Sequence, residues 1–258
     1  MADQRPPWRR VLRIATGITV AVVMAATARD LAGGSSRPTL REYSPDLTPS
    51  PTAPSESRDA SAALLANLVV NDRDVGPTLK IAGLRGGNGL TQPTLDLCNG
   101  TFPSEAMRTA RLQVAAIDGQ GDTALSTEAV LYSSGAGTAA AFSQLQETAA
   151  KCPAGPVDSP VGLPTVTTRF GPAPDTAWPQ VPSVERLAFA FDTIGTTGET
   201  SHSVAVYLRR GRAFLGVYFS HADAPTAVVE GKTALGDIVN VLATRLAKLP
   251  VAAISTTA

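Results

Sequence analysis

The chain has 258 residues, with 22 basic and 22 acidic side chains, 43% hydrophobic residues and 5% aromatic residues. That length holds one or two domains with a substantial core. A formal net charge of zero excludes a polybasic nucleic-acid binder. Two cysteines and two histidines cannot build a finger-type zinc cluster.

The zero hides an uneven distribution. Residues 1–28 carry Arg5, Arg9, Arg10 and Arg13 against a single acid, Asp3, which leaves 18 basic and 21 acidic residues, a net −3, in the remainder. Behind those arginines, Ile14 to Ala28 is an uncharged, mostly apolar run of 15 residues ending in Ala26-Thr27-Ala28. A basic start, a short apolar segment and a small-x-small end form an export signal. The run is shorter than the roughly 20 apolar residues of a spanning helix, so residues 1–28 read as a cleaved signal peptide or, alternatively, an N-terminal membrane anchor. Arg9-Arg10 also loosely matches a twin-arginine signal. Residues 29–60 contain Gly33, Gly34, Pro38, Pro45, Pro49, Pro51 and Pro54 among many Ser and Thr. Such a composition cannot bury enough apolar surface to offset its ordering entropy and predicts a disordered linker.

Apolar periodicity then begins and marks one domain over 61–250, with 251–258 as a disordered tail. Ser61 is placed to cap a short helix with Leu64, Leu65, Leu68 and Val69 on one face. Strands are predicted at Thr78–Leu84, Arg111–Asp118 and Thr123–Ser133, the last two joined by Gly119-Gln120-Gly121. A helix over Thr138–Lys151 presents Phe142, Leu145, Ala149 and Cys152 inward, and Pro153 and Pro156 stop it. Residues 153–183, rich in proline and holding Phe170 and Trp178, read as a long irregular loop. Three further strands follow at Val184–Ile194, Ser201–Leu208 and Arg212–Ser220, with a turn at Arg209-Arg210-Gly211. Leu187 to Phe191 is apolar on both faces and is expected at the sheet centre. Thr233 is expected to cap a last helix carrying Leu235, Ile238, Val239, Leu242, Leu246 and Leu249, which Pro250 ends. The sum is an α+β fold: a largely antiparallel sheet packed with helices, in two hairpin-plus-helix halves.

Cys98 and Cys152 are the only cysteines. An exported chain with two cysteines predicts one disulfide between them. A nucleophilic cysteine would need a lowered pKa and a neighbouring base, and nothing near either residue in the sequence supplies them.

The remaining motifs are weak. Gly135-Ala136-Gly137-Thr138-Ala139-Ala140 follows a strand and opens a helix, the context of a dinucleotide fingerprint, but no second parallel strand with a terminal acid follows, and a plain strand-to-helix turn explains it. Gly231-Lys232-Thr233 has Thr226 where a phosphate loop needs its leading glycine. Asp72 and Asp74 start like a calcium loop, yet Gly83 sits where a bidentate Glu is required. No G-x-S-x-G elbow and no H-E-x-x-H occurs. His202 and His221 flank one hairpin and, with Asp223, sketch a site at one sheet end. Arg209, Arg210 and Arg212 crowd a tight turn and suit a phosphate or carboxylate contact. Trp178 either plugs the core edge or lines a cleft.

One stretch has a family likeness. Leu97-Cys98-Asn99-Gly100-Thr101-Phe102-Pro103-Ser104 leads into Arg108, Arg111 and Val114, with Phe142 and Cys152-Pro153 behind. The order resembles the sensor-domain proteins of actinobacteria, which look like the extracellular domain of PknH-type serine/threonine kinases. The resemblance spans roughly residues 60–250. It implies an extracytoplasmic α+β domain with a ligand-binding cleft and no known catalysis. The kinase sensor domains carry two disulfides where this chain permits one. The sequence holds no kinase domain, so a signal would need a separate transducer.

These readings lead to an exported, non-enzymatic, sensor-like domain at the cell envelope that binds a small envelope or extracellular ligand, with no cofactor, no metal and no nucleic-acid partner. Its cleft is expected between the sheet and residues 153–183, with Trp178, Arg209, Arg210, Arg212, His202 and His221 as candidate contacts. The alternatives are a secreted hydrolase built on His202 or His221 with a Ser or Asp partner, and a structural envelope protein without a ligand.

Overall fold

The computed structural model describes residues 55–158, 165–223 and 225–255. The expected export signal, most of the linker and the last three residues of the chain lie outside them. Among the described residues no helix is long and apolar enough to cross a membrane.

Seven strands form one antiparallel sheet: β1 (Lys80–Gly83), β2 (Arg108–Ile117), β3 (Thr123–Tyr132), β4 (Val166–Phe170), β5 (Glu185–Gly195), β6 (Thr200–Arg210) and β7 (Ala213–Phe219). Their order across the sheet is β1-β2-β3-β7-β6-β5-β4. Among the described residues four helices accompany it: α1 (Ser55–Leu68), α2 (Gly135–Ala150), α3 (Leu235–Ala247) and the single turn α4 (Val251–Ile254), with a 3-10 turn at Pro103–Met107. The α+β class holds, as does the pairing of each half's hairpin with a helix.

The two halves send their helices to opposite faces. Alternation along each strand splits the side chains into two sets. One face presents Leu125, Leu131, Val206, Leu208, Leu215 and Val217 to Leu65 and Leu68 of α1 and to Ile238, Leu242 and Leu246 of α3. The i, i+4, i+8 spacing of the α3 residues is what makes a helix one-sided. The other face presents Val130, Tyr132, Tyr207, Phe214 and Tyr218 to Phe142 and Leu145 of α2. Residues 84–102 also cross this second face, seating Leu95, Leu97 and Phe102 in its core.

Five local expectations need correction. The irregular loop at 153–183 contains strand β4, paired with β5 from Val166↔Gly195 to Phe170↔Phe191. Its Val-Thr-Thr-Arg-Phe sequence favours a strand, and surrounding prolines conceal a segment of five residues. Leu187 to Phe191 is not central: β5 lies one strand from the edge, and the middle position belongs to β7, all seven residues of which are buried. The apolar character of β5 reflects two half-covered faces, Phe189 against Phe170 and Tyr207 on one side and Ala188 and Ala190 toward the α3 side on the other. Thr233 does not cap α3, which has Ala234 at its N-cap without a side-chain bond. Helix α1 begins at Ser55, inside the stretch expected as linker. At the other end, ordered chain continues past Pro250 into α4, where Ile254 is buried.

The glycine motif at the start of α2 is a packing device. Ser134 caps the helix by accepting from the Gly137 amide. A Cβ on Gly137 would fall 2.9 Å from the Tyr132 ring, and one on Gly135 would lie 3.5 Å from the Gly211 backbone. The helix start is thus pressed onto β3 and the β6–β7 turn, with the Thr138 hydroxyl 2.6 Å from the Gly211 carbonyl.

A candidate ligand-binding cleft

The α2 face of the sheet holds a polar centre beneath residues 84–102. Glu128 of β3 and Arg111 of β2 form an ion pair with side-chain exposures of 1% and 0%. Arg111 also donates to the Gly86 carbonyl at 2.9 Å and to Gln113 Oε1 at 2.7 Å. Tyr218 completes the set by donating to Glu128 Oε2 at 3.4 Å. Gly216, opposite Glu128 in the β3–β7 ladder, leaves the space this needs, because a Cβ there would strike the Tyr218 hydroxyl at 2.3 Å.

Arg108 performs a parallel task nearer the end of the strand. It donates to the carbonyls of Leu90 and Gln92, both at 2.8 Å, and to Thr94 Oγ1 at 2.9 Å. It also pairs with Glu105 at 2.9 Å. Glu105 accepts in turn from the Thr94 and Leu95 amides. Burial raises the Glu105 pKa, outweighing the opposing pull of Arg108 and the two amides. Burial likewise raises the phenols of Tyr132, Tyr207 and Tyr218, with Glu105 adding to the effect at Tyr132 and Glu128 at the other two. Two arginines of β2 therefore hold residues 84–102 on the sheet, and the Cys98–Cys152 disulfide ties the same segment to the end of α2.

Beside this covered region lies an open cleft of about 480 Å³. Phe142, Ser143 and Gln146 of α2 form one wall, Gln180 and Val184 another, and Glu185, Leu187 and Arg209 the side toward the sheet. Glu185 and Arg209 are directly paired across the β5–β6 ladder. The Arg209 guanidinium lies 5.3 Å from the centroid of the Phe142 ring. Its Nε and Nη2 donate to the same Glu185 oxygen, at 3.1 and 2.6 Å. A smaller depression of about 340 Å³ adjoins the disulfide, between Gly100, Gln144, Thr148 and Lys151.

Of the six candidate contacts, Trp178, Arg209, Arg210, Arg212, His202 and His221, only Arg209 lines the larger cleft. Arg210 donates to the Leu246 and Leu249 carbonyls and so closes the C-terminal end of α3. Arg212 donates to the carbonyls of Ala253 and Tyr132. Trp178 sits at the edge of the α3-side core, packed on Gly236, where a Cβ would meet its indole at 2.7 Å. Arg186 stacks 5.7 Å from that indole and binds Asp175 and the Pro179 carbonyl, fixing the turn that carries it.

His202 and His221 are both exposed, at the same sheet end. His202 pairs through Nδ1 with Asp192 of the neighbouring strand. That pair points to the α3 side of the sheet, away from the cleft. The hydroxyls of Ser201 and Ser203 both donate to the Ser220 carbonyl, and strand alternation sets them on the face of β6 opposite His202.

No family model and no curated protein matches the chain. Among solved structures it is similar to the extracellular domain of PknH from Mycobacterium tuberculosis, at 10% identity and a TM-score of 0.42, over 72% of this chain and 94% of that one. It is also similar to an uncharacterised protein from Mycobacterium smegmatis, at 13% identity and a TM-score of 0.34, over 67% and 89% of the two chains.

Proposed function

We propose that the protein is an extracytoplasmic, sensor-like binding domain without catalytic activity, and that its ligand occupies the cleft between α2 and the β5–β6 ladder. The cleft carries the reading. Its volume of about 480 Å³ is that of a small-molecule site, and its lining sets the polar Ser143, Gln146, Gln180, Glu185 and Arg209 beside the apolar Phe142, Val184 and Leu187. Placement outside the cytoplasm is supported by the disulfide, a bond that persists in oxidising compartments, and by the basic and apolar N-terminal sequence. The disulfide ties residues 84–102 to the end of α2, the helix that forms one cleft wall, and a wall fixed before binding lowers the ordering cost.

Native mass spectrometry of the secreted protein tests the reading when wild type is compared with Ser143→Trp. Ser143 is an exposed α2 residue in the cleft wall, and an indole there fills the space. The expected result is an added small-molecule mass on wild type that the variant lacks. Identical spectra overturn the proposal.

A further inference from the structure

We infer that the cleft is built for an organic oxyanion, and that the anion enters by displacing Glu185 from Arg209. This rests on the binding reading above and assigns its ligand class.

The argument starts from the unequal exposure of the two partners. The Arg209 side chain is 19% exposed, whereas Glu185 is 64% exposed. The guanidinium is held in place by the Phe142 ring and the sheet, while the carboxylate reaches it from water. Both contacts fall on one oxygen, Oε2, so the pair lacks the two-oxygen fork that makes arginine–carboxylate recognition strong. Among the described residues Arg209 Nη1 has no acceptor. A single-oxygen pair with an exposed acid contributes little to stability, and Glu185 is rehydrated at small cost when it leaves.

An incoming carboxylate or phosphate can satisfy the guanidinium with two oxygens. The charge on Arg209 is then neutralised before and after the exchange. The net gain comes chiefly from the second oxygen, with a smaller share from apolar surface covered at Leu187. A neutral analogue keeps the apolar gain but cannot replace Glu185. Glu185 thus acts as a resident competitor that sets the threshold for anions alone.

The test uses 2-naphthoate, 2-naphthyl phosphate and neutral 2-naphthamide as probes, with dissociation constants from ligand-observed NMR on wild type, Glu185→Gln, Arg209→Gln and Ser143→Trp. Removing the competitor in Glu185→Gln is expected to tighten at least one anion about five- to tenfold and to leave naphthamide within about twofold. Arg209→Gln is expected to abolish the preference for anions over naphthamide; Arg209→Lys, which keeps the charge and loses the fork, weakens the anions as well. Which anion gains more separates a carboxylate ligand from a phosphate. Anion affinity that is unchanged or weaker in Glu185→Gln overturns the exchange. If naphthamide then still binds wild type and not Ser143→Trp, the cleft stands as a site and only the ligand class falls. If no probe binds wild type, or Ser143→Trp binds all three unchanged, both fall.

Discussion

Arg111 and Glu128 form an ion pair closed off from water inside the α2 face of the sheet, with 0% and 1% of their side chains exposed. Neither charge has solvent to fall back on, so the value of the pair lies in its completeness. Arg111→Met alone or Glu128→Leu alone leaves one buried charge uncompensated, and each is expected to cost about 3–5 kcal/mol. The double variant removes both charges and recovers most of that loss. It does not recover all of it, because Arg111 also holds the Gly86 carbonyl. Urea denaturation of the four proteins checks this; single variants costing less than about 1 kcal/mol would show that water reaches the pair.

This pair also marks how far the sequence could be read. Glu128 is the only charged residue in β3, and the turn over residues 119–121 was legible. Counted from that turn, Glu128 falls opposite Leu112; a bulge between Ala116 and Ile117 shifts the register by one and puts Gln113 opposite Glu128 with Arg111 on the diagonal, so the partner was not recoverable from the turn alone. The Glu185–Arg209 pair does follow from register, because the β5–β6 ladder runs unbroken from Ile194↔Thr200 to Glu185↔Arg209. Other features were not recoverable. The contact of β3 with β7 joins strands more than 80 residues apart, and both faces of each are buried. The helix faces could therefore be found, but not which side of the sheet each would cover. Without that assignment, Trp178, Arg209, Arg210 and Arg212 had equal claims on one cleft. Strand alternation separates Arg209 from Arg210, and the terminal turn α4 takes Arg212.

The disulfide closes a separation of 54 residues. In the chain-entropy model a loop of that size contributes about 4 kcal/mol. Cys98→Ser/Cys152→Ser is expected to lose stability of that order, and dithiothreitol should bring wild type to the same curve. A reduced wild type as stable as the oxidised protein would show that the two arginines hold residues 84–102 unaided.

Glu105 predicts a distinct pH dependence. Its carboxyl is raised above the ordinary value of 4.5 by burial, so the folded protein keeps this proton to higher pH than the unfolded chain. The stability it confers is complete below pH 4.5 and is lost as pH rises through the folded value. The difference between wild type and Glu105→Gln, measured by urea denaturation across that window, should therefore show wild type losing ground as pH increases. A difference of opposite slope would mean that Arg108 and the Thr94 and Leu95 amides outweigh burial.

Tyr132 offers the opposite kind of change, one that should stabilise. Its ring is fully buried and contacts Phe214 at a centroid distance of 6.0 Å. Its hydroxyl has no hydrogen-bond partner among the described residues. The hydroxyl of Ser104 lies beside it but donates instead to Gln144 Oε1 at 2.7 Å. Burying an unsatisfied hydroxyl carries its full desolvation cost, so Tyr132→Phe is expected to raise stability by about 1 kcal/mol while keeping the ring contacts. The same substitution should leave naphthoate binding unchanged, because Tyr132 lies outside the cleft lining. A loss of stability in the variant would place a water molecule on that hydroxyl, bridging it to the polar groups around Ser104 and Glu105.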